Sequence, residues 1–263
     1  MGEIASQRVV VLGAGRVATH LVPALIKAGY VVEQVWSRTE KTARMLAEPL
    51  GISYIGELEA VVPNADVYIA CVADEALPLV AEKIVAVAGE SSLYLHTAGS
   101  VSVELWQRCG ALHYGILYPL QTFSKERVVD MRRVSLFVEA SDEFAKGRIE
   151  ALAHKISEKV YHADSKRRAR LHVAAVFACN FTNAMYDMAY RLLAEEDIPF
   201  EVLLALIDET AAKVHVLTPH EAQTGPAVRG DEAVMKSHLD VLADNDGLRD
   251  IYERISNYIN KNR

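Results

Sequence analysis

Arg8-Val9-Val10-Val11-Leu12-Gly13-Ala14-Gly15-Arg16-Val17-Ala18 is the stretch that decides the fold. Four apolar residues in a row read as a strand buried on both faces, and a glycine-rich turn follows them. Val17, Leu21, Leu25 and Ala28 then recur at helical spacing up to Gly29, a residue suited to the left-handed position that ends a helix. Pro23 lies inside this helical pattern, where its missing N–H removes a backbone hydrogen bond. Strand, Gly-x-Gly-x-x-Ala turn and amphipathic helix, in that order, form the fingerprint of a dinucleotide-binding βαβ unit. Gly13 would make the turn, Gly15 would let the backbone approach a pyrophosphate, and Ala18 would let the helix pack closely on the strand. Gly13, Ala14, Gly15, Arg16 and Val17 are therefore candidate cofactor contacts, with the free N–H groups at the helix start aimed at an anion. A structural turn in an α/β fold without a ligand would use the same glycines.

The second strand, Val31 to Trp36, points to which dinucleotide is bound. A site for NAD would carry Asp or Glu at its tip to hold the ribose 2′-hydroxyl. This tip reads Ser37-Arg38-Thr39-Glu40-Lys41, with no carboxylate at its first three positions. Ser37 and Thr39 can donate hydrogen bonds, Arg38 can meet a 2′-phosphate with a planar fork, and Lys41 can assist. NADP(H) is expected as the cofactor. Arg38 and Lys41 would equally solvate a helix start.

Beyond this unit, short apolar runs alternate with helical patterns: Val67 to Val72, Leu93 to Leu95, Gly115 to Tyr118 and Ser135 to Val138. Such alternation predicts a mostly parallel Rossmann-like sheet with crossover helices. Ligands of open α/β sheets sit outside the carboxyl ends of the strands. The tips carrying Val72 and Ala73, then His96, Thr97 and Ser100, then Tyr118 and Gln121, are expected to face the cofactor and substrate. From Asp164 the strand signals cease and helical patterns take over, which predicts a Rossmann-like domain over 1–160 and an all-α domain over 161–263.

Composition sets the limits. The 263 residues are 51% hydrophobic and 24% charged, ordinary proportions for a globular protein with a full core. A formal net charge of −7 argues against nucleic acid as a partner, because that needs a basic face. Cys71, Cys109 and Cys179 lie far apart without metal-ligand spacing, so they read as reduced, packed thiols, and no metal is expected. Met1 to Gln7 lacks a basic and an apolar region, and no apolar run reaches the roughly 18 residues of a membrane span. A cytoplasmic protein without a membrane partner is expected.

The helical half carries the remaining polar signals. At 100° per residue, Asn180, Asn183 and Asp187 fall within about 80° of His172 on one helix, opposite an apolar stripe. That polar stripe would line a cleft, meet a partner or simply face water. Lys166-Arg167-Arg168 with Arg170 reads as a solvated helix face. Thr218-Pro219-His220-Glu221 fits a capping box. In Thr224-Gly225-Pro226-Ala227-Val228-Arg229-Gly230-Asp231, the Gly-Pro pair fixes a turn that presents Arg229 to a substrate carboxylate or to a helix end.

With these residues in hand, the chain resembles a two-domain family of the 6-phosphogluconate dehydrogenase-like superfamily, with an N-terminal NADP-binding domain and a helical C-terminal domain of uncharacterised function. The resemblance rests on Gly13 to Ala18, His96-Thr97-Ala98-Gly99-Ser100, Tyr118-Pro119-Leu120-Gln121-Thr122-Phe123, His172 to Asn180, and Thr224 to Asp231. It implies a reductase related to ketopantoate reductase and pyrroline-5-carboxylate reductase, a homodimer through the helical domain, acting on C=O or C=N of a small carboxylate. Ketopantoate reductases and hydroxyacid dehydrogenases of the superfamily carry a Lys four residues before the match to Asn180, and this chain has Val176 there. The proton would then come from His172 or Tyr118. Asn180 would orient the substrate, with Asn183, Ser100 and Gln121 nearby, and Arg229 would hold its carboxylate. A non-catalytic NADP-binding sensor or scaffold is the competing expectation, and Val176 is its best support.

Overall fold

The computed structural model describes residues 7–262, so the reading of Met1 to Gln7 falls almost wholly outside the described residues. The chain divides into two compact units, one running through Cys179 and one starting at Asn180.

In the first unit eight strands form one sheet: β1 (Arg8–Leu12), β2 (Val31–Trp36), β3 (Ser53–Ile55), β4 (Val67–Ala70), β5 (Leu93–His96), β6 (His113–Leu120), β7 (Ser135–Ala140) and β8 (Lys159–His162). Their order is β3-β2-β1-β4-β5-β6-β7-β8, and every neighbouring pair is parallel except β6 with β7. The order reverses between β1 and β4, which makes the carboxyl edge there a switch point where a ligand can enter.

Helices cover both faces, as a parallel sheet requires. The connections are α1 (Arg16–Lys27), α2 (Glu40–Ala47), α3 (Leu77–Ala88), α4 (Glu104–Arg108) and α5 (Glu143–Ile156). Alternation along β1 sorts the core. Val9 and Val11 pack with Leu21, Leu25, Ala43 and Ile149, whereas Val10 and Leu12 pack with Leu77, Ile84 and Trp106. Pro23 sits on the exposed face of α1.

Two strands were not expected. β3 is three residues and β8 four, both at the edges of the sheet, so neither carries the apolar run of a buried strand. The residue-160 division drawn from sequence falls within β8, and α6 (Ser165–Ala175) belongs to the first compact unit. Asp164 caps α6 by accepting from the Arg167 N–H at 2.7 Å. A π-helical turn, Val176–Phe181, continues from α6, and the division between the units falls inside it.

The second unit is helical: α7 (Thr182–Ala194), α8 (Leu204–Lys213), α9 (Pro226–Arg229), α10 (Glu232–Val241) and α11 (Asp246–Lys261). Thr218 and Glu221 form the reciprocal bonds of a capping box, although only a single turn follows before the chain straightens. Gly225, at φ +112°, precedes Pro226 at the start of α9, so the Gly-Pro pair starts a helix as well as ending the previous turn. Asp231 caps α10, accepting from the Val234 N–H. Among the described residues of this unit only Ala227 and Leu242 are buried. Met185, Met188, Leu192, Leu242, Ile251 and Ile255 help line an apolar groove of about 390 Å³.

Candidate functional site

The glycine turn has the shape the sequence implies. Gly13 adopts φ +115°, its N–H donates to the Trp36 carbonyl at 2.7 Å, and a Cβ there would stand 2.5 Å from the Cys71 carbonyl oxygen at the tip of β4. Only glycine fits both constraints. Gly15 differs: a Cβ on it would come no nearer than 3.9 Å to other protein atoms, so the protein's own packing does not demand a glycine there. The space over Gly15 is open, α1 begins at Arg16 with no side-chain cap, and no acidic residue lies in its first turn. This cradle of free N–H groups suits a pyrophosphate. Ala14 is buried, Val17 half-buried and Arg16 exposed, while Ala18 is sealed in the core.

At the tip of β2, Arg38 and Thr39 are exposed and Ser37 is half-buried. The Ser37 hydroxyl is paired with Thr42 Oγ1 at 2.8 Å, so it shapes the start of α2 instead of standing free as expected. Among the described residues Arg38 has no ion pair, which leaves its guanidinium open to a phosphate.

The next tips separate into two groups. Val72 and Ala73 are half-buried and exposed beside the glycine turn. His96 and Thr97, expected to face the cofactor, instead point inward. His96 is completely buried near Trp106, and its Nδ1 accepts from the Ala98 N–H at 3.2 Å. Burial, helped by the nearby Arg168 charge, pushes its pKa down to about 3, so the ring is neutral. Thr97 is buried, with its hydroxyl donating to the Ala70 carbonyl at 3.4 Å. Both shape the turn that follows β5. The Cys71 thiol, pushed up to about 12 chiefly by burial, is not a nucleophile. Cys179 is exposed, unlike the packed thiol expected, and all three cysteines are free.

Five other residues do converge at this edge. Tyr118, near the end of β6, places its hydroxyl 3.1 Å from His172 Nδ1 on α6, and either atom can donate. Gly99 lies against both. A Cβ there would meet His172 Nδ1 at 2.7 Å and the Tyr118 ring at 2.8 Å, so a side chain at 99 would drive the pair apart. Ser100 follows on the surface and donates a close hydrogen bond to Asp74, the residue after Ala73. Tyr118 is 8% exposed, and burial raises its phenol pKa, with Arg168 opposing and Asp74 reinforcing the shift. The hydroxyl is thus protonated at neutral pH, the state a proton donor needs.

Other expected residues lie elsewhere. Gln121 is exposed and its amide oxygen accepts from the Thr122 N–H at 2.8 Å, which folds the loop after β6. His20 holds the same loop, through the Ser124 carbonyl at 2.8 Å and a stack on Phe123 at 4.9 Å, a role no motif announces. Asn180, Asn183 and Arg229 are exposed residues of the second unit. The π turn widens the winding over Val176–Phe181, so the uniform 100° rotation that grouped His172 with Asn180 and Asn183 does not hold across it. Asp187 is engaged by Arg191 at 2.9 Å. Arg229 ends α9 and has no ion pair among the described residues. Arg168, expected on a solvated face, is 1% exposed and paired with Glu139. Among the described residues no group of His, Cys, Asp and Glu could hold a metal. None of their helices is long and apolar enough to cross a membrane.

Residues 8–95 match the family described as NADP oxidoreductase, coenzyme F420-dependent, and residues 134–259 match a domain of unknown function, DUF2520. A crystal structure from Bacteroides fragilis, provisionally named an NADP oxidoreductase, shares 45% identity over 97% of this chain and 98% of its own, with a TM-score of 0.92. The imine reductase of Myxococcus stipitatus, solved with NADP+, is similar in fold at 17% identity and TM-score 0.69, over 97% of this chain and 93% of that one. A pyrroline-5-carboxylate reductase from Coxiella burnetii is similar at 16% identity and TM-score 0.60, over 98% and 97% of the two chains. Mouse glucose-fructose oxidoreductase domain-containing protein 2 is 38% identical over 63 residues, which span 24% of this chain and 16% of that protein.

Proposed function

The chain belongs to the NADP oxidoreductase family of the Bacteroides fragilis protein, with DUF2520 as its C-terminal domain, and from that premise we propose that it binds NADPH and reduces a C=O or C=N bond with Tyr118 as the proton donor. The observation that carries this reading is the hydrogen bond between Tyr118 and His172, held at the carboxyl edge of the sheet that also opens the glycine turn.

NADPH, when bound, supplies a hydride with its electron pair and is left as NADP+. The chain's part is to hold the cofactor and manage the proton. The open backbone over Gly15 and the uncapped start of α1 receive the pyrophosphate, and Arg38 receives the 2′-phosphate. As the substrate carbon gains hydride, its oxygen or nitrogen would gain a proton from the Tyr118 hydroxyl, and His172 would relay a proton from solvent to the phenolate, taking one up at Nε2 as it gives one from Nδ1. The fold is shared with an imine reductase and a pyrroline-5-carboxylate reductase, which favours C=N substrates.

The helical unit buries little of its own apolar surface. Its exposed Leu206, Val216, Val241 and Tyr258 support pairing with a second copy of this chain.

Oxidation of NADPH against cyclic imines, 2-oxo acids and ketopantoate tests the proposal. Turnover with at least one class is expected, falling about 10²- to 10⁴-fold in Tyr118→Phe. Equal turnover in Tyr118→Phe and His172→Ala would remove the assignment. The same panel on Arg229→Ala tests the carboxylate: a raised KM confined to carboxylate substrates supports it. A sensor without chemistry, which Val176 favours, would bind NADPH tightly and turn over none of the panel.

A further inference from the structure

Behind Tyr118 and His172 stands a buried charge that the proposed proton transfer does not itself employ. The Arg168 guanidinium pairs closely with Glu139 on β7, donates to the Val101 carbonyl at 2.5 Å and to Ser165 Oγ at 3.2 Å, and leaves its Nε without a partner among the described residues. Ser165 in turn donates to the same carboxylate at 2.9 Å and accepts from the Val103 N–H at 3.2 Å. One node thus ties α6, β7 and the turn after β5 together. His172 lies four residues beyond Arg168 on α6, one turn along the same face, and Gly99 lies two residues before Val101. The helix that presents His172 and the turn that packs on both rings are therefore fixed by the same guanidinium.

Stability is a poor reason to keep such a node. A buried ion pair is commonly no more stabilising than apolar side chains of the same volume, because two charges must be desolvated. Its placement next to the proton-donating pair gives it another use.

We propose that Arg168 is a positioning residue for the Tyr118–His172 pair, resting on the reading above, in which Tyr118 gives up a proton: it keeps α6 and the Gly99–Val101 turn in register and offsets the negative charge left on the phenol oxygen. Glu139 tempers that charge. The groups facing Tyr118 are Arg168 and His172 from α6 and Asp74 from the segment after β4, while Phe137 packs on it from β7 without charge. His96, from β5, stays neutral under burial and the same guanidinium.

Arg168 lowers the pKa of the phenol, and Glu139 is paired with that guanidinium, so removing the one and removing the other are expected to move the phenol in opposite directions. The full chain is labelled with 3-fluorotyrosine, the Tyr118 resonance is identified by its loss in Tyr118→Phe, and its titration is followed by ¹⁹F NMR. Arg168→Met is expected to raise the Tyr118 midpoint by a pH unit or more, a tenfold change in proton affinity, and Arg168→Lys to restore most of it. Glu139→Gln is expected to lower the midpoint. A node that served only packing would leave the midpoint unmoved or move it the same way in both variants, and either result overturns the proposal. If Arg168→Met does not fold, the downward shift in Glu139→Gln and the near-normal midpoint in Arg168→Lys carry the test alone. Turnover separates this inference from its premise. Full activity in Tyr118→Phe with the opposed shifts intact sinks the proton-donor reading, whereas loss of activity in Tyr118→Phe without those shifts sinks the role of Arg168.

Discussion

The two compact units differ most in what they bury. Up to Cys179 the chain closes two cores, one on each face of its sheet, and β4 and β5 have no exposed residue. From Asn180 on, helices of comparable regularity leave only Ala227 and Leu242 buried among the described residues, while Leu206, Val216, Val241 and Tyr258 are more than 60% exposed. A sheet covered by its own crossover helices completes its core within one chain, whereas amphipathic helices laid side by side still present an apolar face. The first unit therefore carries its own core, whereas the second leaves most of its apolar face exposed, the face on which the proposed pairing with a second copy rests.

The sharpest test of the first unit's rigidity is Gly13→Ala, with the largest effect expected. It forces a left-handed backbone on alanine and drives its Cβ onto the Cys71 carbonyl. Loss of NADPH binding by more than 100-fold, with lowered thermal stability, is expected in cofactor titration and calorimetry. Gly15→Val has room within the protein and should keep its melting temperature while losing the cofactor.

Trp106→Ala follows. Trp106 is fully buried in the core beside α3, so its removal should cost about 3–5 kcal/mol in denaturant unfolding. That cost should not depend on protein concentration.

Acid gives the next effect. His96 is held neutral, with its pKa depressed to about 3 from 6.5, so the unfolded chain takes up the proton first. The stabilisation is complete above pH 6.5 and is lost as pH falls from there toward 3. By pH 5 the loss amounts to about 2 kcal/mol, and His96→Gln should flatten that part of the stability curve.

The smallest effect should come from the second unit. Tyr258→Ser removes an exposed ring, so on folding of an isolated chain it should cost within about 0.5 kcal/mol. If a second copy covers that face, sedimentation should show weaker self-association in this variant. A concentration-independent loss as large as that of Trp106→Ala would erase the contrast between the units.

The difference between the units also explains what the sequence made legible. Arg8 to Ala18 announces itself because strand, turn and helix each obey a local rule, and most of the other strands follow from their apolar runs. β3 and β8 escape because an edge strand needs no such run. The meeting of Tyr118, His172 and Gly99 comes from elements far apart in sequence, so motifs name the residues without giving their geometry. His96 and Thr97 were placed at the right strand and turned the wrong way, because which side of a turn is buried depends on what packs over it. Arg168 departs from its sequence pattern for a related reason: three basic residues at a helix start look solvated until a carboxylate on a strand claims one. The π turn at Val176–Phe181 has no simple signature, and it undoes a helical wheel drawn at constant pitch.

In the proposed reaction the first unit holds NADPH beside a tyrosine that donates the proton. Transfer of deuterium from NADPH labelled at the nicotinamide C4 to a cyclic imine, followed by mass spectrometry in the wild-type chain and in Tyr118→Phe, tests it most directly. Labelled product is expected from the wild-type chain, forming about 10²- to 10⁴-fold more slowly in Tyr118→Phe with NADPH affinity unchanged. Label transferred equally by both chains, or NADPH bound tightly with no label transferred to any substrate of the panel, would contradict it.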